Sequence, residues 1–286
     1  MFLSRTILEE KLRRMLAEDI GQGDITTALV IPADTVVEAE VLCKEAGVAA
    51  GIEEAQILLE GSGLSTEALV ADGEKMRSKQ VLMKISGDAR TVLSVERTVL
   101  NLVSRMSGIA TTTRNLAERL RRSGAKARIA CTRKTAPGLL YFDKKAVQVG
   151  GGDTHRLHLD DMILIKDNHI AVAGSVEKAI RKAKERASLS KKIEVEVTNT
   201  EDALMAAEAG ADIIMLDNFS PEQTAKAVVL LEKKKLREKV LLEASGGITA
   251  ENIRAFGSTG VDIVSLGEIT NSAKALDVSL EIVKIK

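Results

Sequence analysis

Strand-like segments alternate with helical segments through the second half of the chain, and this alternation constrains the fold more than any other feature. Alternation of this kind favours a parallel sheet flanked by helices. One helix start is explicit, because Ser220 can cap a helix in which Pro221 occupies the first turn and Gln223 completes a capping box. The predicted strands cover residues 129–131, 162–165, 193–197, 213–216, 240–243 and 263–266.

The positions of the glycines distinguish two folds that share this alternation. An open dinucleotide-binding sheet carries a GxGxxG motif after its first strand, and this chain has none there. Glycines instead follow the last two predicted strands, in Ser245-Gly246-Gly247 and in Leu266-Gly267. The loops after the last two strands of (β/α) barrels commonly bind phosphate. We therefore predict a TIM-like barrel with a phosphate site at these residues.

The first part of the chain predicts a separate α+β domain. A helix is expected over residues 5–19, a glycine-bearing loop over 18–27, short strands over 37–43, 68–70 and 81–85, and a helix near 52–60. A long helical pattern then covers 91–122, with a break expected at Ser107-Gly108. We place the first domain at 1–109 and the barrel at 110–273. The strand-like stretch in 274–286 is expected to return to the first domain.

Positive charge is concentrated in residues 132–169, although the whole chain is neutral, with 41 Lys and Arg against 41 Asp and Glu. A local cluster of this kind predicts a small anionic ligand. The balanced total charge and the 2% aromatic content argue against nucleic-acid binding. The cationic residues and the three histidines of this stretch are Arg133, Lys134, Lys144, Lys145, Arg156, Lys166, His155, His158 and His169.

The expected environment is the reducing cytoplasm. Cys43 and Cys131 are far apart in sequence and no CxxC motif occurs, so neither a disulfide framework nor a thiolate zinc site is indicated. No segment approaches the roughly 18 consecutive apolar residues that a membrane-spanning helix needs. We therefore expect no membrane partner.

Polar residues cluster at or just past the carboxyl ends of the predicted strands, which is where barrel enzymes carry their active sites. Polar residues also begin wherever a strand ends, so no single member identifies a site, but six together favour one. The six residues are Arg133, Lys134, Lys166, Glu196, Asp217 and Ser245.

Two carboxylates are expected to lie side by side, because Asp217 follows Glu196 by about one strand-helix repeat. Glu194 alternates with Glu196 along its strand and shares its inward face. Such a pair suits Mg²⁺, ribose hydroxyls or a developing oxocarbenium ion. The structural alternative is an ion pair with Lys166 or Arg133.

The other charged residues leave several interpretations open. His155 and His158 have HxxH spacing, but anion binding by His155 with Arg156 is favoured over metal ligation, and His158 is expected at the surface. Lys166 at a strand end is also compatible with a Schiff-base aldolase. A non-catalytic barrel that binds a phosphorylated metabolite would need the glycines but not Glu196 and Asp217.

A set of ordered motifs gives the chain a clear family resemblance. The motifs are EDIGQGDIT, ERTVLNLVSRMSGIAT, TRKTAPGL, KKAVQVGGGDTHR, LIKDNHI, IEVEV, MLDN, EASGGI and SLGEIT. In this order they resemble the quinolinate phosphoribosyltransferases, which are carboxylating nicotinate-nucleotide pyrophosphorylases. A molybdate-transport-associated branch is also similar, but LIKDNHI is closer to the quinolinate enzymes.

The resemblance implies an α/β sandwich N-terminal domain followed by an incomplete α/β barrel. It implies a Mg²⁺-dependent pentosyltransferase that joins quinolinate to phosphoribosyl pyrophosphate and releases CO₂. By motif position, Arg133, Lys134, His155, Arg156 and Lys166 would bind quinolinate and ribose, and the catalytic residues would be Lys134, Lys166, Glu196 and Asp217. The remaining implied residues are Glu196 and Asp217 toward ribose and metal, Ser245, Gly246, Gly247, Leu266 and Gly267 at the phosphate, and Arg97 from the partner subunit of a homodimer.

Three positions depart from the family pattern. Leu140 stands where Arg is frequent, Thr154 where Asn often precedes the His-Arg pair, and Asn271 where His commonly follows the SxGxxT motif. The first departure puts one cation of the site in doubt and the third puts one phosphate contact in doubt. The core set is unaffected.

Overall fold

The computed structural model describes residues 3–286, which divide into two compact units. The first unit runs to Thr112 and also includes Phe142–Gly150 and Ala273–Lys286. The second unit comprises Thr113–Tyr141 and Gly151–Ser272.

The helices and strands follow one another in two series. The first series is α1 (Arg5–Ile20), α2 (Ile25–Val30), β1 (Val36–Cys43), β2 (Gly47–Val48), α3 (Ile52–Gly61), β3 (Ser65–Ala68), β4 (Lys75–Met76), β5 (Gln80–Asp88) and α4 (Ala89–Arg122). The second series is β6 (Arg128–Cys131), α5 (Leu140–Val149), β7 (Ile163–Ile165), α6 (Asp167–Ala173), α7 (Val176–Arg186), β8 (Ile193–Val197), α8 (Thr200–Ala209), β9 (Ile213–Asp217), α9 (Pro221–Lys233), β10 (Leu241–Ser245), α10 (Ile253–Gly257), β11 (Ile263–Leu266), α11 (Glu268–Asn271) and β12 (Val278–Ile285).

The first unit is built on an antiparallel sheet with the strand order β12-β1-β5-β3. Strand β1 is central and alternates as the sequence predicts, with Val37, Ala39, Val41 and Cys43 buried. The pairing of β1 with β12 joins the last strand of the chain to this sheet. Helix α1 contributes Leu8 and Leu12 to the buried core.

The break expected at Ser107-Gly108 is wrong, because α4 runs without interruption through both residues. The Ser107 hydroxyl accepts a hydrogen bond from the Ala50 N–H at 3.0 Å. A Cβ at Gly108 would lie 2.2 Å from the Lys274 carbonyl oxygen, so this glycine permits a close approach of the chain. Both residues serve tertiary packing rather than a helix end.

The loop expected over 18–27 is also only partly correct. Helix α1 continues to Ile20, and α2 begins at Ile25. Asp24 caps α2, because its carboxylate accepts a hydrogen bond from the Thr27 N–H at 2.9 Å. Asp24, which lies within the predicted loop, therefore marks the start of the next helix.

The second unit contains a six-stranded sheet with the order β6-β11-β10-β9-β8-β7, and every pairing in it is parallel. The predicted parallel α/β architecture is therefore confirmed. Within residues 3–286 no pairing joins β6 to β7, so the sheet does not close into a complete barrel. The capping box at Ser220 and Gln223 is present at the start of α9.

Parallel strands bring their carboxyl ends to one edge of the sheet, and this edge carries the polar residues described below. In the described part of the chain, every helix is too short or too polar to cross a membrane.

Candidate active site

A cavity of about 560 Å³ in the second unit collects residues from the carboxyl ends of the strands. Its lining includes Thr132 just after β6, Asn218 just after β9 and the buried Ser265 of β11. Most of the residues singled out from the sequence also line it. They are Arg133, Lys134, His155, Arg156, Lys166, Glu196, Asp217, Ser245, Gly246, Gly247, Leu266 and Gly267.

The acidic side of the cavity is formed by Glu196 and Asp217. Lys166 Nζ lies 2.5 Å from Glu196 Oε2, which is the ion pair that the sequence left open as an alternative. Burial raises the pKa of Asp217, and the charge of Glu196 raises it further, whereas a hydrogen bond from Asn218 lowers it. The two carboxylates are therefore close enough to repel each other, and the site favours a cation beside them.

The cationic side of the cavity is formed by two arginines and two lysines. Burial lowers the pKa of Arg156, the neighbouring charge of Arg133 lowers it further, and Glu194 opposes this shift. Lys134 is held through its backbone, since its N–H donates to Thr132 Oγ1 at 3.1 Å and its carbonyl accepts from Thr270 Oγ1 at 2.8 Å. Two guanidinium groups that repel each other are well placed to share a bound anion.

His155 lies between two buried carboxylates. Its Nε2 is 3.1 Å from Glu243 Oε2 and 3.3 Å from Glu194 Oε2. Burial lowers the pKa of His155, but the close contacts with Glu194 and Glu243 and their negative charges prevail and raise it from 6.5 to about 10. Burial raises the pKa of Glu194, while His155 lowers it and the charge of Glu243 raises it. His158 is exposed, as the sequence predicts.

The glycine loop after β10 is locked to the end of β9. Gly246 and Gly247 have φ of 87° and 61°, a region that glycine occupies freely. A Cβ on Gly246 would lie 2.8 Å from the backbone nitrogen of Asn218. The Asn218 N–H donates to the Ser245 carbonyl at 2.9 Å, and its side-chain amide donates to Asp217 Oδ2 at 2.7 Å. The loop and the Asp217 carboxylate are thus held by one residue.

Glu243 and Asn218 were not among the residues predicted for the site. Glu243 carried a usable signal, because it is a charged residue inside an otherwise apolar strand, LLEAS. Asn218 has φ of 56°, which the sequence indicates only weakly through the tolerance of Asn for this region.

Two of the three departures from the family pattern can be placed in the structure. Thr154 donates its hydroxyl to the His155 carbonyl at 3.1 Å, and Asn271 is exposed at the end of α11.

Arg97 lies in the first unit, on α4, with 64% of its side chain exposed. It lines a second cavity of about 590 Å³ in that unit, together with Lys44, Asn101, Lys274 and Asp277. Among the described residues, Arg97 is not part of the lining of the 560 Å³ cavity.

Comparison with known proteins identifies similar chains over almost the full length. Family models for the N-terminal and C-terminal domains of quinolinate phosphoribosyl transferase match residues 24–107 and 109–281. A probable nicotinate-nucleotide pyrophosphorylase (carboxylating) of Methanothermobacter thermautotrophicus is 47% identical over 275 residues, or 96% of this chain and 99% of that protein. The rat nicotinate-nucleotide pyrophosphorylase (carboxylating) is 37% identical over 255 residues, or 89% of this chain and 85% of the relative. The solved nicotinate-nucleotide pyrophosphorylase of Francisella tularensis has a TM-score of 0.88 and 38% identity, covering 100% of this chain and 98% of that one.

Proposed function

The chain belongs to the quinolinate phosphoribosyltransferase family, and from this premise we propose that it is a carboxylating pyrophosphorylase of NAD biosynthesis. It joins the phosphoribose of phosphoribosyl pyrophosphate to quinolinate and forms nicotinate mononucleotide, pyrophosphate and CO₂. The observation that carries this proposal is a single cavity that combines cations, two carboxylates and a glycine loop. The family membership favours it over a Schiff-base aldolase and a binding-only barrel. The similar relatives named as carboxylating pyrophosphorylases favour it over the molybdate-transport-associated branch.

The cationic side of the cavity suits the acceptor. Quinolinate carries two carboxylates, and Arg133, Arg156, Lys166 and His155 provide positive charge for them. One opposed pair at about 4 Å is worth about 4 kcal/mol at an effective dielectric near 20. Several such pairs are needed because the donor substrate is also strongly anionic.

The remaining cation of the cavity and the glycine loop suit the donor. Lys134 and the loop Ser245–Gly247 offer an ammonium and backbone N–H groups to phosphate. The pyridine nitrogen attacks the ribose C1 as pyrophosphate leaves, and positive charge develops on the ribose. Glu196 and Asp217, the two carboxylates of the same cavity, are proposed to stabilise that charge.

Loss of CO₂ needs no further catalytic group. Ribosylation makes the ring nitrogen cationic, so the ring accepts the electron pair that remains when the carboxylate beside the nitrogen departs. That ring carbon is then protonated. The residues of this step act by holding the second carboxylate and the ribose in place.

Mg²⁺ is the proposed cofactor, and the donor set fits it. Glu196 and Asp217 are neighbouring carboxylates, and Mg²⁺ binds oxygen ligands through one or two such groups together with substrate phosphates. The ion would neutralise charge on the departing pyrophosphate.

We also propose a homodimer in the cytoplasm, in which Arg97 of the partner subunit completes the acceptor site. The support is that Arg97 is an exposed cation within a family motif and lies outside the lining of the first cavity. Burial of both thiols, Cys43 and Cys131, is compatible with a reducing compartment.

The proposal is tested with two acceptors. The protein is incubated with phosphoribosyl pyrophosphate, Mg²⁺ and either quinolinate or nicotinate, and the nucleotide product is measured by chromatography. We expect nicotinate mononucleotide from quinolinate and none from nicotinate, which lacks the carboxylate that must leave. No product from quinolinate with folded protein would overturn the proposal.

A further inference from the structure

Two carboxylates are buried in the parallel sheet with little to compensate them. Glu194 on β8 and Glu243 on β10 are each 0% exposed. In the part of the chain that the structure describes, neither oxygen of Glu194 accepts a hydrogen bond, and Glu243 accepts one through Oε2 alone. Uncompensated buried carboxylates are costly, so these residues require a positive partner.

The ring of His155 is held against both carboxylates. Its Nε2 lies 3.1 Å from one and 3.3 Å from the other. The backbone at His155 is fixed in the left-handed region, with φ of 52°, and its N–H donates to Asp153 Oδ1 at 2.8 Å. A non-glycine residue in this region is strained, so surrounding contacts must fix it.

The charges around the ring favour its cationic form. Glu194 faces it from β8 and Glu243 from β10, while its own segment supplies Arg156 and the carboxylate of Asp153, which accepts from the backbone. A neutral ring would offer one N–H to two negative charges. An imidazolium cancels one of those charges, and Arg156 attracts Glu194 as well.

We propose that Glu194 and Glu243 are positioning residues that hold His155 as a permanent imidazolium in the wall of the cavity. The charge they maintain is presented to the dicarboxylate acceptor, and this last step rests on the proposed function. An ordinary histidine loses its charge near pH 6.5. Acceptor binding here should therefore not weaken as the pH rises through neutrality.

The first test needs no catalysis. The protein is labelled with ¹³C and ¹⁵N in histidine, and its three ring signals are assigned with His158→Gln and His169→Gln variants. We expect the His155 ring of the wild type to stay protonated well above neutral pH. In Glu243→Gln its pKa should fall toward the ordinary value. A neutral His155 ring at pH 7 in the wild type would overturn the proposal.

A matched control is available in the first unit. Glu54 is also 0% exposed and is paired with Lys145 at 2.7 Å. Glu54→Gln removes a buried carboxylate of the same kind, and the His155 titration should remain at its wild-type position. If the pKa of His155 shifted as much in Glu54→Gln as in Glu243→Gln, the effect would follow from the loss of any buried carboxylate. That result would contradict the positioning role.

The kinetic test separates this role from a structural one. In Glu243→Gln the KM for quinolinate should increase roughly tenfold as the pH is raised from about 6 to 8. At the acid end, where the ring is protonated in both proteins, it should approach the wild-type value. The KM for phosphoribosyl pyrophosphate should stay constant. Equal losses for both substrates at every pH would refute the inference. If the wild type forms no nucleotide, the proposed function fails, and the ring titration still decides the ionic arrangement.

Discussion

Substitution of Glu196 by Gln removes one of the two carboxylates proposed to stabilise the charged ribose. A carboxylate at about 4 Å contributes about 4 kcal/mol at an effective dielectric near 20. Asp217 remains and still stabilises the ribose, so we expect Glu196→Gln to lose about 3–4 kcal/mol of transition-state stabilisation. Lys166, which lies 2.5 Å from Glu196, also loses its partner and opposes the developing charge. Since about 1.4 kcal/mol corresponds to a tenfold change, kcat should fall about 10²–10³-fold.

The assay measures kcat and both KM values from nucleotide formation at saturating Mg²⁺. Glu208→Gln is the control, because Glu208 is an exposed carboxylate on α8, the helix that follows β8. Its kcat should match the wild type. A kcat for Glu196→Gln within about threefold of the wild type would refute the electrostatic argument, and so would a loss confined to KM.

Further predictions concern other parts of the molecule. Arg97→Ala and Lys134→Ala should each be inactive, but verified heterodimers should regain about half the activity, because one of two sites is then intact. Failure to complement would place Arg97 in its own subunit's site. Asn218→Gly should keep the loop conformation yet lose about tenfold in kcat, because the donor to Asp217 Oδ2 is gone; full activity would exclude this orienting role. Gly108→Ala should lower the free energy of unfolding by about 1–3 kcal/mol in urea, because its Cβ would meet the Lys274 carbonyl oxygen at 2.2 Å. An unchanged midpoint would contradict that packing argument.

Periodicity predicts the second unit well because each strand is a short apolar run between two polar or glycine-bearing segments. β8 and β11 coincide with their predicted ranges, and β10 is displaced by one or two residues. The continuity of α4 could not be predicted in the same way. Its Ser-Gly pair is a local breaker, but the contacts of Ser107 with Ala50 and of Gly108 with Lys274 join distant segments and override it.

The candidate site shows the same division between local and long-range information. The carboxyl ends of parallel strands must meet, so Lys166, Glu196 and Asp217 could be grouped from the sequence. The partner of a charged residue depends on side-chain geometry, and His155 pairs with Glu243 across 88 residues. No pattern in the sequence indicates that pairing. The hydrogen bond from the Asn218 N–H to the Ser245 carbonyl likewise joins two segments that no sequence pattern pairs.

The central claim is that one cavity performs phosphoribosyl transfer and decarboxylation together. The most direct measurement uses quinolinate labelled with ¹⁴C in the carboxylate next to the ring nitrogen, and follows CO₂, pyrophosphate and nucleotide in one reaction. We predict equal amounts of all three, dependent on phosphoribosyl pyrophosphate and Mg²⁺. Pyrophosphate released without labelled CO₂, or no nucleotide from folded protein, would contradict the claim.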